Sequence, residues 1–185
     1  MIQPAETLLD ADAVARIIRR MASEMIERMR GCGRLGLVGI QRGGTPIATR
    51  LAHEIQAAEN LQVPIGALDI TLYRDDAAIA LPDPKVGPSR IEWSVEDADV
   101  VLVDDVLHTG RTVRAAIDCL LDYGRPRRIW LAVLCDRGGR QLPIAADFIG
   151  RTVEIPDGFV LDVVADGGST DGARLRATNA KKGNP

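Results

Sequence analysis

The chain alternates short apolar, β-branched runs with stretches in which apolar residues recur every three or four positions. A continuous apolar run reads as a strand buried on both faces, and the three-to-four spacing as one face of a helix. Leu35 to Ile40, Ile65 to Tyr73, Val100 to Val103 and Ile129 to Leu134 read as strands. Asp10 or Asp12 caps a first helix with the stripe Val14, Ile17, Ile18, Met21, Met25 and Met29, stopping at Gly31 and Gly33. Pro46 suits the first turn of a second helix, which carries Ile47, Leu51 and Ile55 to about Glu59. A third carries Val113, Ala116, Ile117, Leu120 and Leu121 and closes at Gly124 and Pro126. This β-α-β series predicts an α/β fold with a doubly wound, mainly parallel sheet. Residues 74 to 94 hold three prolines and many charges without an apolar period, and read as a long loop or protruding hairpin acting as a lid. Phe159 to Val164 and Ala173 to Thr178 pair as a hairpin across a Gly-Ser-Thr-Asp turn. Residues 1 to 178 are expected to form one domain, and residues 179 to 185 a disordered tail.

Composition narrows the class without naming a chemistry. Apolar residues make up 46% of 185 positions, which suits one α/β core of Val, Ile, Leu and Ala. A net charge of -3 gives no global drive toward nucleic acid, so any such role needs a local basic face. Cys32, Cys119 and Cys135 are far apart, without a CxxC or histidine partners at metal spacing, and read as reduced thiols. With no basic-plus-apolar leader and no run of about 18 apolar residues, the expectation is a soluble, cytoplasmic protein with no membrane contact.

The chemistry concentrates in Val100 to Thr112. An apolar strand runs into Asp104 and Asp105, a short loop of Val106, Leu107, His108, Thr109 and Gly110 follows, and Arg111 and Thr112 open a helix. Open α/β sheets bind ligands at the carboxyl ends of their strands, and a helix N-terminus attracts phosphate. The GxxxxGK[ST] spacing of a Walker loop is absent. Two ionised carboxylates offer only acceptors, which suits the vicinal hydroxyls of a ribose or the water shell of a magnesium ion. Together the parts match a ribose 5-phosphate. A second strand-turn-helix, Gly39-Ile40-Gln41-Arg42-Gly43-Gly44-Thr45, supplies glycines for close backbone approach and Arg42 for a polyanion.

The stretch Val103 to Thr112 resembles the PRPP-binding signature of type I phosphoribosyltransferases, which join a nitrogen base to 5-phosphoribosyl 1-pyrophosphate (PRPP). Leu68 to Asp76, Gly124 to Pro126, Leu131 to Gly138 and Leu142 to Ile144 resemble one branch, the PyrR proteins, pyrimidine operon attenuators that often also show uracil phosphoribosyltransferase activity. The similarity covers roughly residues 8 to 164. It implies uracil and PRPP as substrates, UMP and diphosphate as products, and Mg2+ held at Asp104 and Asp105, directly or through ribose hydroxyls and water. It makes Asp104, Asp105 and Arg42 catalytic, Val106 to Thr112 the phosphate site, and Gln41, Arg42, Gly43 and Gly44 the pyrophosphate loop. Tyr73 and Arg74 become lid residues, and Cys135, Asp136, Arg137 and Gly138 a small base-binding hood. A homodimer or higher homo-oligomer is implied as well.

The same resemblance implies UMP-dependent binding of a pyrimidine-operon leader RNA, with Arg19, Arg20 and Arg140 on the RNA face. RNA-binding members usually carry Thr-Arg-x-x-His on the first helix, where this chain has Arg19, Arg20 and Ser23. They also carry a histidine and an arginine where this chain has Gly139 and Ala145. Two alternatives stay open: a nucleotide-sensing regulator with little catalysis, and a phosphoribosyltransferase that has lost RNA binding.

Overall fold

The apolar runs become neighbouring strands of one parallel sheet because each can be covered on both faces. The structure, a computed structural model, describes residues 6–30, 33–73, 89–155, 159–166 and 169–177. Five strands, β2 (Leu35–Ile40), β3 (Ile65–Leu68), β4 (Asp99–Leu107), β5 (Arg128–Asp136) and β6 (Phe148–Thr152), lie in the order β3-β2-β4-β5-β6, every pair parallel. Leu35, Leu37, Val101, Val103, Ala132 and Leu134 turn to one face, under α1 (Ala11–Met29) and α2 (Gly44–Glu59). Val38, Ile40, Val100, Leu102, Leu131 and Val133 turn to the other, with α3 (Arg111–Leu121). Period-two alternation thus feeds two cores from the same strands. The predicted doubly wound, mainly parallel sheet is observed.

Asp10, of the two candidate caps, closes the start of α1: its Oδ1 accepts from the Ala13 N–H at 2.7 Å. The helix ends at Arg30, in the left-handed region at φ 50°. Arg20 Nη2 donates to the carbonyls of Ile149 (2.9 Å) and Gly150 (2.7 Å), and Arg28 Nη1 to that of Asp147 (2.6 Å). The Arg28 guanidinium also lies over the rings of Trp130 and Phe148, 5.3 and 5.0 Å from their centroids. These arginines cover the edge strand β6, which would otherwise offer unpaired backbone to another chain.

A second, antiparallel sheet of order β1-β8-β7 joins β1 (Glu6–Leu9), β8 (Ser169–Ala177) and β7 (Phe159–Asp166). The β7–β8 pair is the expected hairpin, but Asp166 pairs with Ser169, so Ser169, Thr170 and Asp171 lie in β8 and not in the turn expected there. Three further expectations need correction. The strand expected over Ile65 to Tyr73 stops at Leu68, because Asp69 Oδ1 accepts from the Thr71 N–H at 2.8 Å and turns residues 71–73 into a 3-10 helix. The strand expected over Val100 to Val103 continues through both acids to Leu107, held by pairing with β5. Strands β1 and β6 have no counterpart among the strands expected from the apolar pattern. Residues 74–88 of the lid, with Arg74, lie outside the described residues, as do Cys32 and the 179–185 tail.

Candidate active site

Chain order reverses between β2 and β4, since β2 is followed by β3 on one side and β4 lies on the other. Such a switch point opens a crevice at the carboxyl ends of the two strands. The last pair between them is Gly39 with Val103, so Asp104 and Asp105 sit just past the end of β2, beside the turn 41–43. The two glycines make the approach close. A β-carbon on Gly44 would strike the Val103 carbonyl, and one on Gly43 the Asp105 carboxylate. The Gln41–Arg42 peptide is cis. The pyrophosphate-loop residues and the paired acids, about sixty positions apart in sequence, are therefore brought into van der Waals contact.

Asp104 is the one buried charged residue among the described positions, with 6% of its surface exposed. Burial, and then the negative charge of Asp105, push its carboxyl well above the usual range. The acids are braced by backbone: Asp104 Oδ1 accepts from the Asp105 N–H at 3.0 Å, and Asp105 Oδ1 from the Val106 N–H at 2.7 Å. A buried acid pair that resists double ionisation suits a site receiving hydroxyl donors or a cation.

A cavity of about 300 Å3 continues from Asp104 along Val106 to Val113. Its floor is the start of α3, whose N-cap Gly110 has φ 91°, available to glycine at little cost, and no side-chain cap. Thr109 Oγ1 accepts from the Arg111 N–H at 3.3 Å. With Thr109, Arg111 and Thr112 on its wall, the cavity offers hydroxyl, guanidinium and helix-terminal N–H donors to an oxyanion. His108 is lowered from its ordinary pKa by partial burial and then by the charges of Arg137 and Arg140, which favours the neutral imidazole.

Parallel pairing of Val106 with Cys135 and Leu107 with Asp136 carries the end of β5 alongside the loop. Here the sequence expectation needs correction. Cys135 is fully buried in the core under α1 and α2, with its thiol pushed up to about 12 by burial and the charge of Asp105, so its side chain faces no base. Asp136 pairs with Arg140 at 2.5 Å and accepts from the Gly138 N–H at 2.9 Å. Burial works against its charge, but the bonds from Arg140 and Gly138 outweigh it and hold the carboxyl below the ordinary value. Arg137 and Gly138 border the phosphate loop, with the Arg137 N–H on the Leu107 carbonyl at 3.0 Å.

Two further expected residues turn elsewhere. Tyr73, expected to reach PRPP, donates its hydroxyl to Asp122 at the far end of α3 from the cavity, and that bond raises its pKa to about 12. Arg140, expected on an RNA face, turns inward with its side chain 24% exposed. Arg19 is exposed and meets Glu54 at 3.4 Å, while Ser23 returns its hydroxyl to the Arg19 carbonyl at 3.1 Å. What does gather is a cleft of about 300 Å3 over Leu9, Ala13 and Ile17, walled by Arg16, Arg20 and Arg151. Arg16 and Arg151 were not among the sequence candidates; the i,i+4 spacing of Arg16 and Arg20 is the signal that could have found the first.

The model of the phosphoribosyl transferase domain matches residues 4–166. The chain belongs to the phosphoribosyltransferase family. Within it, the chain groups with the PyrR proteins: it is 54% identical to the bifunctional protein PyrR of Roseiflexus sp. (strain RS-1) over 79% of this chain and 80% of that one. It is 45% identical to that of Enterococcus faecalis over 92% and 94%. Among solved phosphoribosyltransferases, the hypoxanthine phosphoribosyltransferase of Trypanosoma cruzi superposes with a TM-score of 0.68 at 19% identity, covering 94% of this chain and 97% of that one. At that identity the likeness concerns the fold.

Proposed function

We propose that the protein transfers the 5-phosphoribosyl group of PRPP to a ring nitrogen of uracil, giving UMP and diphosphate in the cytoplasm. The observation that carries this is the Asp104–Asp105 pair, whose second acid lies against the glycine turn at Gly43 and whose first lines the cavity at the start of α3. The bond from C1 to the diphosphate oxygen breaks, the bond from C1 to nitrogen forms, and the base gives up its N–H proton to water. Positive charge grows on the ribose ring and negative charge on the leaving group, so the protein has mainly to orient and neutralise. Thr109, Arg111 and Thr112 receive the 5-phosphate, Asp104 and Asp105 the ribose diol, and Arg42 with the backbone of Gln41, Gly43 and Gly44 the diphosphate. Arg137 and Gly138 border the base.

No cluster of three potential metal ligands exists among the described residues. Magnesium in such sites keeps most of its coordination for waters and substrate oxygens and needs one or two carboxylates, which Asp104 and Asp105 supply. When bound, it neutralises charge on the diphosphate. The test is a product assay with PRPP and Mg2+ against uracil, hypoxanthine, guanine and orotate. UMP with equimolar diphosphate from uracil alone is expected; comparable rates with a purine base would sink uracil specificity.

The PyrR relatives and the Arg16–Arg20–Arg151 cleft support a second role, binding leader RNA when UMP is present. The face proposed moves from Arg19, Arg20 and Arg140 to this cleft, because Arg140 is consumed inside. No described helix is long and apolar enough to cross a membrane; RNA and like subunits are the macromolecular partners proposed. Removing one arginine that neutralises a phosphate flattens the logarithmic salt dependence of binding by about 0.7 to 0.9. The Arg16→Ala, Arg151→Ala double variant is therefore expected to flatten it by about 1.5 while leaving UMP formation intact. Unchanged salt dependence in a filter-binding series would remove the cleft from the RNA surface.

A further inference from the structure

Arg140 has no direct part in the proposed chemistry, yet all three nitrogens of its guanidinium are bonded within the protein. Nε donates to the Ile144 carbonyl at 3.1 Å. Nη1 faces the carbonyls of His108 at 2.8 Å, Gly138 at 3.2 Å and Leu107 at 3.5 Å. Nη2 meets Asp136 Oδ2 at 2.5 Å. Those acceptors come from three places: the end of β4 where the phosphate loop begins, the end of β5 with the segment just after it, and the return toward β6. The backbone follows the same route. The N–H groups of Gln141 and Leu142 reach the Thr109 carbonyl at 3.0 and 3.1 Å, and Gln141 Oε1 accepts from Arg111 Nε at 3.0 Å.

We propose that Arg140 is a positioning residue that fixes the distance between the phosphate subsite at Thr109 to Thr112 and the base subsite at Arg137 and Gly138. The inference rests on the phosphoribosyltransferase reading of those two loops. A planar guanidinium with donors in a rigid fork can bridge acceptors from three segments at once, whereas an ammonium is a point donor on a flexible stem. Each loop can hold its own part of the substrate without Arg140. What is lost is their mutual register, and transfer depends on the base nitrogen lying in line with C1; a misplacement of about 1 Å can cost about 100-fold in rate. UMP spans both loops, while ribose 5-phosphate occupies one. The two ligands therefore separate register from local binding.

The experiment compares wild type, Arg140→Met and Arg140→Lys in steady-state UMP formation and in calorimetric titrations with UMP and with ribose 5-phosphate. Both variants are expected to lose about 100-fold in kcat with KM for PRPP within about threefold. Both should bind UMP about tenfold more weakly while ribose 5-phosphate changes less than about twofold. Lysine keeps the stem and the charge, so it tests the fork even if Arg140→Met fails to fold. Wild-type values for Arg140→Lys, or equal weakening of the two ligands in it, overturn the positioning role alone. Wild-type protein that binds neither ligand overturns the functional reading and the positioning role with it.

Discussion

Asparagine at position 104 is expected to cut UMP formation severely and, at neutral pH, to make the protein more stable. Turnover should fall by about 100- to 1,000-fold, the scale seen when a group aimed at developing charge is removed from a site. The stability gain follows from the sign of the Asp104 shift. Burial, and then the charge of Asp105, raise its folded pKa well above the ordinary carboxyl value. The folded protein therefore holds the proton more tightly than the unfolded chain does. The stability associated with that proton is fully present below about pH 4 and is lost as pH rises through the folded pKa. Asparagine keeps the shape, and its Oδ1 can still accept from the Asp105 N–H, but it has no charge to bury. A gain of about 1 kcal/mol corresponds to about 2 to 4 °C in Tm for a chain of this size. Thermal melts of both proteins from pH 4 to pH 8 check this: the curves should converge at the acid end and separate above it. A variant that melts lower than wild type at pH 8, or that turns over normally, contradicts the assignment.

A residue that costs stability for the sake of a site belongs where local rules fail, and the sequence was least legible at such places. Strand β2 and the apolar first half of β4 were plain because continuous burial writes continuous apolar residues. The entry of α2 was readable from local chemistry, and the cap of α1 was narrowed to Asp10 or Asp12, between which the structure decides. Strand β4 could not be followed past Val103, since two carboxylates contradict strand propensity and only pairing with β5 keeps them extended. Strand β1 has four residues and a partner near residue 174, and no local pattern reports so remote a pairing. Ile65 to Tyr73 alternates like a strand throughout, yet one Asx turn at Asp69 outweighs the alternation.

The candidate site divides in the same way. Asp104, Asp105 and the loop to Thr112 are contiguous, so their chemistry could be read in a line. Cys135 and Arg140 could not. The first is a thiol next to a site motif in sequence, but strand alternation sends its side chain into the core. The second is an arginine in a charged stretch, typical of a solvated surface, and only the folded backbone reveals carbonyls of three segments converging on it. Side-chain direction decided both, and direction follows from pairing register rather than from composition.

Alanine at Gly43 and alanine at Gly44 are expected to fail in opposite ways, although the two glycines are adjacent. Gly43 has φ -70° and ψ -32°, ordinary helical values, so alanine there meets no backbone strain and gains up to about 1 kcal/mol from reduced unfolded-chain freedom. Its β-carbon meets the Asp105 carboxylate, which must turn off the Val106 N–H, and comes within 2.9 Å of the Asp105 β-carbon, so the backbone there also has to give by a few tenths of an ångström. The protein should fold with a Tm near that of wild type, while kcat/KM falls about 100-fold because one of the paired acids has left its place beside the glycine turn. At Gly44 the β-carbon meets the Val103 carbonyl, which is fixed in the ladder between β2 and β5. Neither side can yield cheaply, and overpacking of this kind costs about 1 to 3 kcal/mol, a loss of about 2 to 12 °C in Tm. Melting curves and kcat/KM measured on the two single variants separate these outcomes. A Gly43→Ala protein that keeps full activity would show that the Asp105 carboxylate does not need its position against the turn, and the two-loop clamp would lose its central contact.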